Sequence, residues 1–148
     1  MIGVISDTHG LIRRSALEVL NGVDVILHSG DIGNITVLRA FWKVAPVIAV
    51  RGNCDRGDWI DKIPERCYFV IGNHRFLIIH KLQDMQNPLT PLDVVVFGHS
   101  HQSNIFVKDN ILYLNPGSAG PKRFKLPVTV ARIRIDKGNL IPKIIKLI

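Results

Sequence analysis

The chain has 148 residues, 47% of them apolar, and 19 Lys/Arg against 12 Asp/Glu give a formal charge of +7. That length suits one domain, residues 1–148, with a sizeable core, and the apolar content argues against disorder. No run approaches the ~20 apolar residues that span a bilayer, no charged, cleavable leader precedes the first strand-like run, and the two cysteines, Cys54 and Cys67, make no zinc or redox spacing, so a reduced, cytoplasmic setting is expected.

Taken in order, the apolar run 2–5 reads as a buried strand that ends abruptly in Asp7-Thr8-His9-Gly10. Residues 11–21 have helical spacing, with Ile12, Ala16, Leu17 and Leu20 on one face and Gly22 as a stop. A second strand, 24–28, leads into Ser29-Gly30-Asp31. A second helix is expected from Asn34, a good cap, with Ile35, Leu38 and Phe41 inward. A third strand, 44–50, has Pro46 near its entry and ends in Arg51-Gly52-Asn53-Cys54-Asp55. Alternation of strand and helix to this point implies a parallel sheet with right-handed crossovers.

The second half changes character. Strands 67–71 and 75–79 flank the turn signal Gly72-Asn73 and run into His80. Strand 93–97 leads to Gly98-His99-Ser100-His101. Two further hairpins are expected, 105–107 with 111–114 around Asp109-Asn110, and 128–135 with 140–146 around residues 137–139. A parallel half followed by hairpins suggests two sheets packed face to face with helices outside. Residues 75–148 hold eleven Lys/Arg against four Asp/Glu, so the excess positive charge lies there. A basic face attracts phosphates or nucleic acid, but interleaved aromatics for base stacking are not evident. Arg132 and Arg134 alternate with Ile133 and Ile135 as the solvent-facing residues of a strand, and a solvated, lysine-edged sheet is the favoured reading.

Five strand-like runs thus end in potential metal ligands: Asp7 with His9, Asp31, Asn53, His80, and His99 with His101. Four of the six histidines lie at these ends. In open α/β sheets, ligands bind beyond the carboxyl ends of strands. Each block alone is ordinary turn or cap chemistry; five together are not. Two divalent cations about 3.5–4 Å apart need a shared carboxylate, imidazoles and open positions, and this mixture of donors suits Mn, Fe, Zn or Ni better than Mg. For His28 a packed or supporting position is expected, for His74 a solvated hairpin position, and for Asn115-Pro116-Gly117-Ser118 a structural turn that walls the pocket.

The ordered blocks Asp7-x-His9, Gly30-Asp31, Gly52-Asn53-Cys54-Asp55, His80 and Gly98-His99-x-His101 resemble those of the calcineurin-like metallophosphoesterases, above all their small bacterial and archaeal phosphodiesterases. The likeness runs from Ile2 to about Ser118. It implies a four-layer α/β/β/α sandwich of two mixed sheets flanked by helices. It also implies two divalent metal ions, Mn first, with Ni, Fe or Zn as alternatives. Asp7, His9 and His101 would hold one, Asn53, His80 and His99 the other, and Asp31 would bridge them. The implied activity is hydrolysis of a phosphodiester by a bridging, metal-activated hydroxide, with Asp31, Asn53, Cys54 and His80 at the catalytic centre. The competing reading is a non-catalytic metal-binding scaffold of the same fold, as in the retromer subunit that resembles these enzymes.

Two positions depart from the family pattern. Cys54 stands where many relatives have a histidine that serves a leaving group or phosphate, which favours diesters over monoesters. Lys81 follows His80 in place of the usual glycine, and Pro88 and Pro91 leave residues 82–92 little room for a regular helix. The sequence leaves the oligomeric state and the natural substrate open, and nucleic acid as a partner has only the basic half behind it.

Overall fold

The computed structural model describes residues 1–86 and 90–148. The Pro88 position, on which one of the expectations rests, lies outside the described residues. Twelve elements follow in order: β1 (Ile2–Ile5), α1 (Arg14–Val19), β2 (Val25–His28), α2 (Ile35–Trp42), β3 (Val47–Ala49), β4 (Arg66–Ile71), β5 (His74–Ile79), β6 (Val94–Val96), β7 (Asn104–Lys108), β8 (Ile111–Asn115), β9 (Thr129–Asp136) and β10 (Asn139–Lys146). Short 3-10 turns cover Asp58–Lys62 and Leu82–Asp84.

The strands form two mixed sheets of five, ordered β10-β9-β1-β2-β3 and β4-β5-β6-β8-β7. In the first, β1, β2 and β3 are parallel and the β9–β10 hairpin joins antiparallel beside β1. In the second, β5, β6 and β8 are parallel, with β4 and β7 antiparallel at the edges. The hairpins fall where the turn residues place them: Asp109 and Asn110 both take the left-handed conformation, as do Lys137 and Gly138, which two-residue hairpin turns require. Hairpin signals did not foretell that β5, β6 and β8 lie parallel, because such neighbours are chosen by tertiary packing.

Period-two alternation divides the apolar residues between the layers. Ile2, Val4, Leu27, Phe76, Ile78, Val94, Val96, Leu114, Ala131 and Ile133 meet between the sheets. On the outer face of the first sheet, Ile5, Ile26 and Val130 pack against Ala16, Leu20, Val37 and Phe41 of the helices and their ends. The outer face of the second sheet buries Leu77, Ile79, Val95 and Tyr113, with Phe106 of β7 stacked beside Tyr113, beneath Leu82 and Met85. Among the described residues that layer is the 3-10 turn and its flanks, as expected of a proline-bearing segment. Each fully buried side chain of this size contributes about 1.5–3 kcal/mol.

Two helix details differ from the expectation. Helix α1 begins three residues late, and Ile12 is exposed instead of inward. The Arg13 guanidinium donates to the carbonyl of Gly120 at 3.0 Å, and Arg13 itself is extended, so a distant contact holds the approach to the helix open. Helix α2 starts where Asn34 caps it, its side chain accepting from the Thr36 N–H at 3.0 Å. Its buried residues are Val37 and Phe41, with Leu38 packed beside them. No described helix is long and apolar enough to cross a membrane.

Candidate metal centre

Because β1, β2, β3, β5, β6 and β8 all run the same way within their sheets, the loops beyond their carboxyl ends gather at one edge of the sandwich. The loop after β1 zips onto the loop after β2: Asp7, His9 and Gly10 N–H groups donate to the carbonyls of Gly30, Asp31 and Ile32 at 3.0, 2.9 and 2.8 Å. The Gly98 N–H donates to the His80 carbonyl at 3.0 Å, which joins the loops after β5 and β6. Gly52 and Gly98 sit where a side chain has no room. A Cβ at Gly52 would fall 2.1 Å from Asp31 Oδ1, and one at Gly98 2.2 Å from Ser6 Oγ and 2.7 Å from Asp7 Oδ2.

Five of the residues singled out in the sequence, Asp7, His9, Asp31, His99 and His101, have positive φ, between 46° and 75°. Non-glycine residues rarely adopt that conformation, and such strain gathers at functional sites. Here it turns the side chains into one cluster. Donor atoms of Asp7, His9 and His101 lie within 4.8 Å of one another, and so do those of Asp31, His80 and His99. Asp31 Oδ2 stands between the two sets, 3.7 Å from His9 Nε2 and 3.3 Å from His80 Nε2. Its other oxygen accepts the Cys54 N–H at 2.9 Å. Asp31 does not cap α2; Asn34 does. Asn53 and His80 line a cavity of about 460 Å³ that opens beside this cluster. Lys81 lines it too, together with Arg51 and Arg66.

Polar groups in the cluster lack partners. His80 Nδ1 donates to the Ser29 carbonyl at 2.7 Å, which leaves the lone pair of the neutral ring on Nε2, facing the Asp31 carboxylate. Buried His80 Nε2, Asp7 Oδ1 and His101 Nδ1 have no hydrogen-bond partner, and the Nε2 atoms of His9 and His101 face each other at 3.2 Å. Buried polar groups without partners cost free energy. Divalent cations would satisfy the lone pairs of His80 Nε2 and Asp7 Oδ1 and separate the facing imidazoles, and the mixture of imidazole and carboxylate suits Mn, Fe, Ni or Zn. The residues present fit such ions.

The metal-free electrostatics reflect the same crowding. Burial resists charge on His80, but the Asp31 carboxylate 3.3 Å from its Nε2 and the nearby Asp7 charge outweigh it and raise its pKa. Burial likewise opposes ionisation of Asp31, yet the close His80 imidazole, the Cys54 N–H and the charge of His9 hold its carboxyl well below the usual range. For His9, burial lowers the pKa against the pull of Asp31 and Asp7, with His101 and Arg123 adding to the lowering. Burial also lowers His99, and the charges of His80 and Lys81 act the same way. The Cys54 thiol is pushed up by burial and by the carboxylates of Asp31 and Asp55, with Arg123 in opposition. Its Sγ lies within 4.8 Å of donors on His9 and Asp31.

Supporting residues hold these loops, and two of them, Ser6 and Asp55, had no role assigned from the sequence. Asp55 accepts from the Gly52 and Ile32 N–H groups on one oxygen, at 2.8 and 3.1 Å, and from Gly33 on the other at 2.9 Å. It therefore pins the Asp31 loop to the Asn53 loop. Ser6 Oγ and the His99 N–H both donate to Asp7 Oδ2, at 2.8 and 3.1 Å. The only hint of Asp55 was its place in the motif, since three backbone donors leave no trace in a side-chain pattern. His28 is fully buried: Gly30 N–H donates to its Nδ1 at 3.2 Å, and because Thr8 Oγ1 donates to the Ile32 carbonyl, His28 Nε2 donates to that hydroxyl at 2.9 Å. It is a brace beneath the loops. Asn115 and Ser118 close the turn after β8, Asn115 through the Gly98 carbonyl and Ser118 through the Asp7 carbonyl.

Comparison with known proteins agrees with this geometry. Residues 1–138 match the calcineurin-like phosphoesterase superfamily domain. A probable metallophosphoesterase of Methanothermobacter thermautotrophicus is 33% identical over 160 residues, covering 99% of this chain and 92% of that one. Phosphodiesterase MJ0936 of Methanocaldococcus jannaschii is 31% identical over 136 residues, covering 78% and 82%. The structure of a novel archaeal phosphodiesterase aligns with a TM-score of 0.77 at 24% identity, covering 97% of this chain and 99% of that one. Two mixed five-stranded sheets, with a cluster of imidazoles and carboxylates at the carboxyl ends of their parallel strands, belong in this chain to a member of the calcineurin-like phosphoesterase superfamily, a metallophosphoesterase.

Proposed function

We propose that this chain is a phosphodiesterase working with two divalent cations. One observation carries the reading: Asp31 Oδ2 lies between His9 and His80, each of which belongs to a separate three-residue donor group. Asp7, His9 and His101 form the ligand set on one side, and His80, His99 and Asn53 the set on the other, with Asp31 shared. Bound there, two cations supply Lewis acidity toward phosphoryl oxygens and lower the pKa of water.

The protein's own part is orientation. The Ser29 carbonyl fixes the His80 tautomer, and the Cys54 N–H occupies Asp31 Oδ1 so that Oδ2 stays free for bridging. The Asn53 amide nitrogen lies 3.5 Å from Cys54 Sγ, which leaves its carbonyl oxygen for a cation. The adjoining cavity admits one arm of an ester, with Lys81, Arg51 and Arg66 on its walls. No imidazole stands at position 54 to protonate a poor leaving group, and a thiol whose pKa is raised is a weak acid for that task. Diesters with good leaving groups need that help least.

Metal analysis of protein purified without chelators, followed by assay of an aryl phosphodiester, tests the proposal. Two ions per chain, loss of turnover on chelation and recovery with Mn are expected. Asp31→Asn should lower the content of both ions and cost more turnover than any single outer-ligand change. Full metal content and turnover in Asp31→Asn would refute a two-ion centre. A fully loaded wild type inert toward every diester would instead leave the scaffold reading standing.

A further inference from the structure

The loop of residues 121–126 carries Lys122, Arg123, Phe124 and Lys125, and the sequence holds no acid between Asp109 and Asp136. Phe124 is 95% exposed, more than any other large apolar side chain described. Its φ of +51° is unusual for a bulky residue, and the Leu126 N–H closes the turn onto the Arg123 carbonyl at 3.1 Å. A lone exposed apolar residue is commonplace on protein surfaces. This one is held out by a strained turn among three cations.

The base of the loop is locked to the metal centre. Gly120 donates its N–H to Ser118 Oγ at 3.2 Å, and that hydroxyl donates to the Asp7 carbonyl at 3.0 Å. The Gly120 carbonyl accepts from Arg13. A Cβ on Gly120 would fall 2.3 Å from the Asp7 carbonyl oxygen, so the chain leaves the cluster in contact with the strand end that carries Asp7. Phe124 is four residues further on, at most ~14 Å along an extended chain. Arg123 immediately precedes Phe124 on that loop. Lys81 follows His80 of the other donor group and lines the cavity beside it. Cations thus stand in segments tied to both donor groups, and one of those segments also presents a free aromatic face.

We propose that this loop reads a nucleobase, with Phe124 stacking on the base and Lys122 and Lys125 holding neighbouring phosphates, so that nucleotide diesters are the substrate class of the centre. The proposal rests on the phosphodiesterase reading and narrows it. Aromatic faces stack on any base, while the lysines supply a salt-dependent term. A mononucleotide arm needs only one aromatic face for stacking, and the exposed Phe124 supplies one.

Two p-nitrophenyl diesters sharing a leaving group test it, one of adenosine 5′-phosphate and one of the same sugar phosphate without its base. Wild type should prefer the first in kcat/KM by roughly 5- to 100-fold, the range that stacking on one aromatic gives. Phe124→Ala should collapse the preference toward unity and Phe124→Trp should keep it. Lys122→Gln with Lys125→Gln should weaken the salt dependence for a trinucleotide, whereas Arg132→Gln with Arg134→Gln should leave both quantities unchanged. Quenching of 1,N6-ethenoadenosine 5′-monophosphate fluorescence gives a readout independent of turnover. Phe124-dependent quenching in a protein that cleaves no diester would uphold the loop and sink the phosphodiesterase reading. Equal kcat/KM for both esters in wild type, or a preference untouched in Phe124→Ala, would overturn the proposal.

Discussion

Replacing Asp55 by asparagine removes half of a clamp while leaving its shape. The native carboxylate takes three backbone N–H groups, two on one oxygen and one on the other. Asparagine has one acceptor oxygen. Placed toward Ile32 and Gly52 it keeps two bonds, now uncharged, and its amide nitrogen faces the Gly33 N–H, donor against donor. Bonds to charged groups contribute about 1.5–3 kcal/mol each, and neutral ones about 0.5–1.5. Losing one bond outright and about half of two others amounts to about 3–6 kcal/mol. Asp55 is 6% exposed, so water offers little relief. Against a total stability of about 5–15 kcal/mol, urea unfolding of metal-free protein should show a clear drop in midpoint. The loops that Asp55 ties together carry Asp31 and Asn53, so calorimetric titration should also show weaker binding of cations. A change below about 1 kcal/mol, with wild-type cation affinity, would refute the clamp.

Two further outcomes follow from the same centre. Cys54→Ala should leave aryl diester turnover within about tenfold at equal metal loading, and Cys54→His should raise monoester relative to diester turnover, because only poor leaving groups need an acid; loss of aryl diester turnover in the alanine variant would assign Cys54 an essential role. Burial lowers the His28 pKa from 6.5 to about 4, against the pull of Asp7 and Asp55, so the unfolded chain takes the proton first as pH falls. Stability tied to His28 is therefore complete above 6.5 and declines toward 4, by about 3 kcal/mol in all; His28→Gln should flatten that part of the pH–stability curve, and parallel curves for the two proteins would contradict it.

The fold was largely legible because its local signals agree with its tertiary contacts. Apolar runs bounded by Gly, Asp and Asn became strands, and Asn34 and the three hairpin turns mark their elements by their own chemistry. What escaped notice depends on distant partners. The late start of α1 turns on Arg13 reaching Gly120, 107 residues away. The parallel β5–β6–β8 core depends on how two hairpins and a lone strand pack, and the Asp55 clamp consists of backbone donors from other loops. Phe124 was unremarkable as a letter; its exposure and its turn give it meaning.

The centre itself was legible in residue type and not in conformation. Recurring Asp, Asn and His at strand ends can be counted, but nothing about Asp7, His9, Asp31, His99 or His101 announces a left-handed backbone, which those residue types adopt only at a cost. The loops bear that cost collectively. Asp7 and His9 each donate their N–H across to the β2 loop, and the Asp31 loop is gripped by Asp55 in turn. Each bond satisfies a backbone group that burial would otherwise leave unpaired. These bonds leave Asp7 Oδ1, His80 Nε2 and His101 Nδ1 without partners in the buried cluster. A chain that commits the loop N–H groups of Asp7, His9, Gly10 and Gly98 to carbonyl partners while leaving lone pairs of His80 and Asp7 unpaired at the centre has arranged its protein–protein bonds around a place suited to cations.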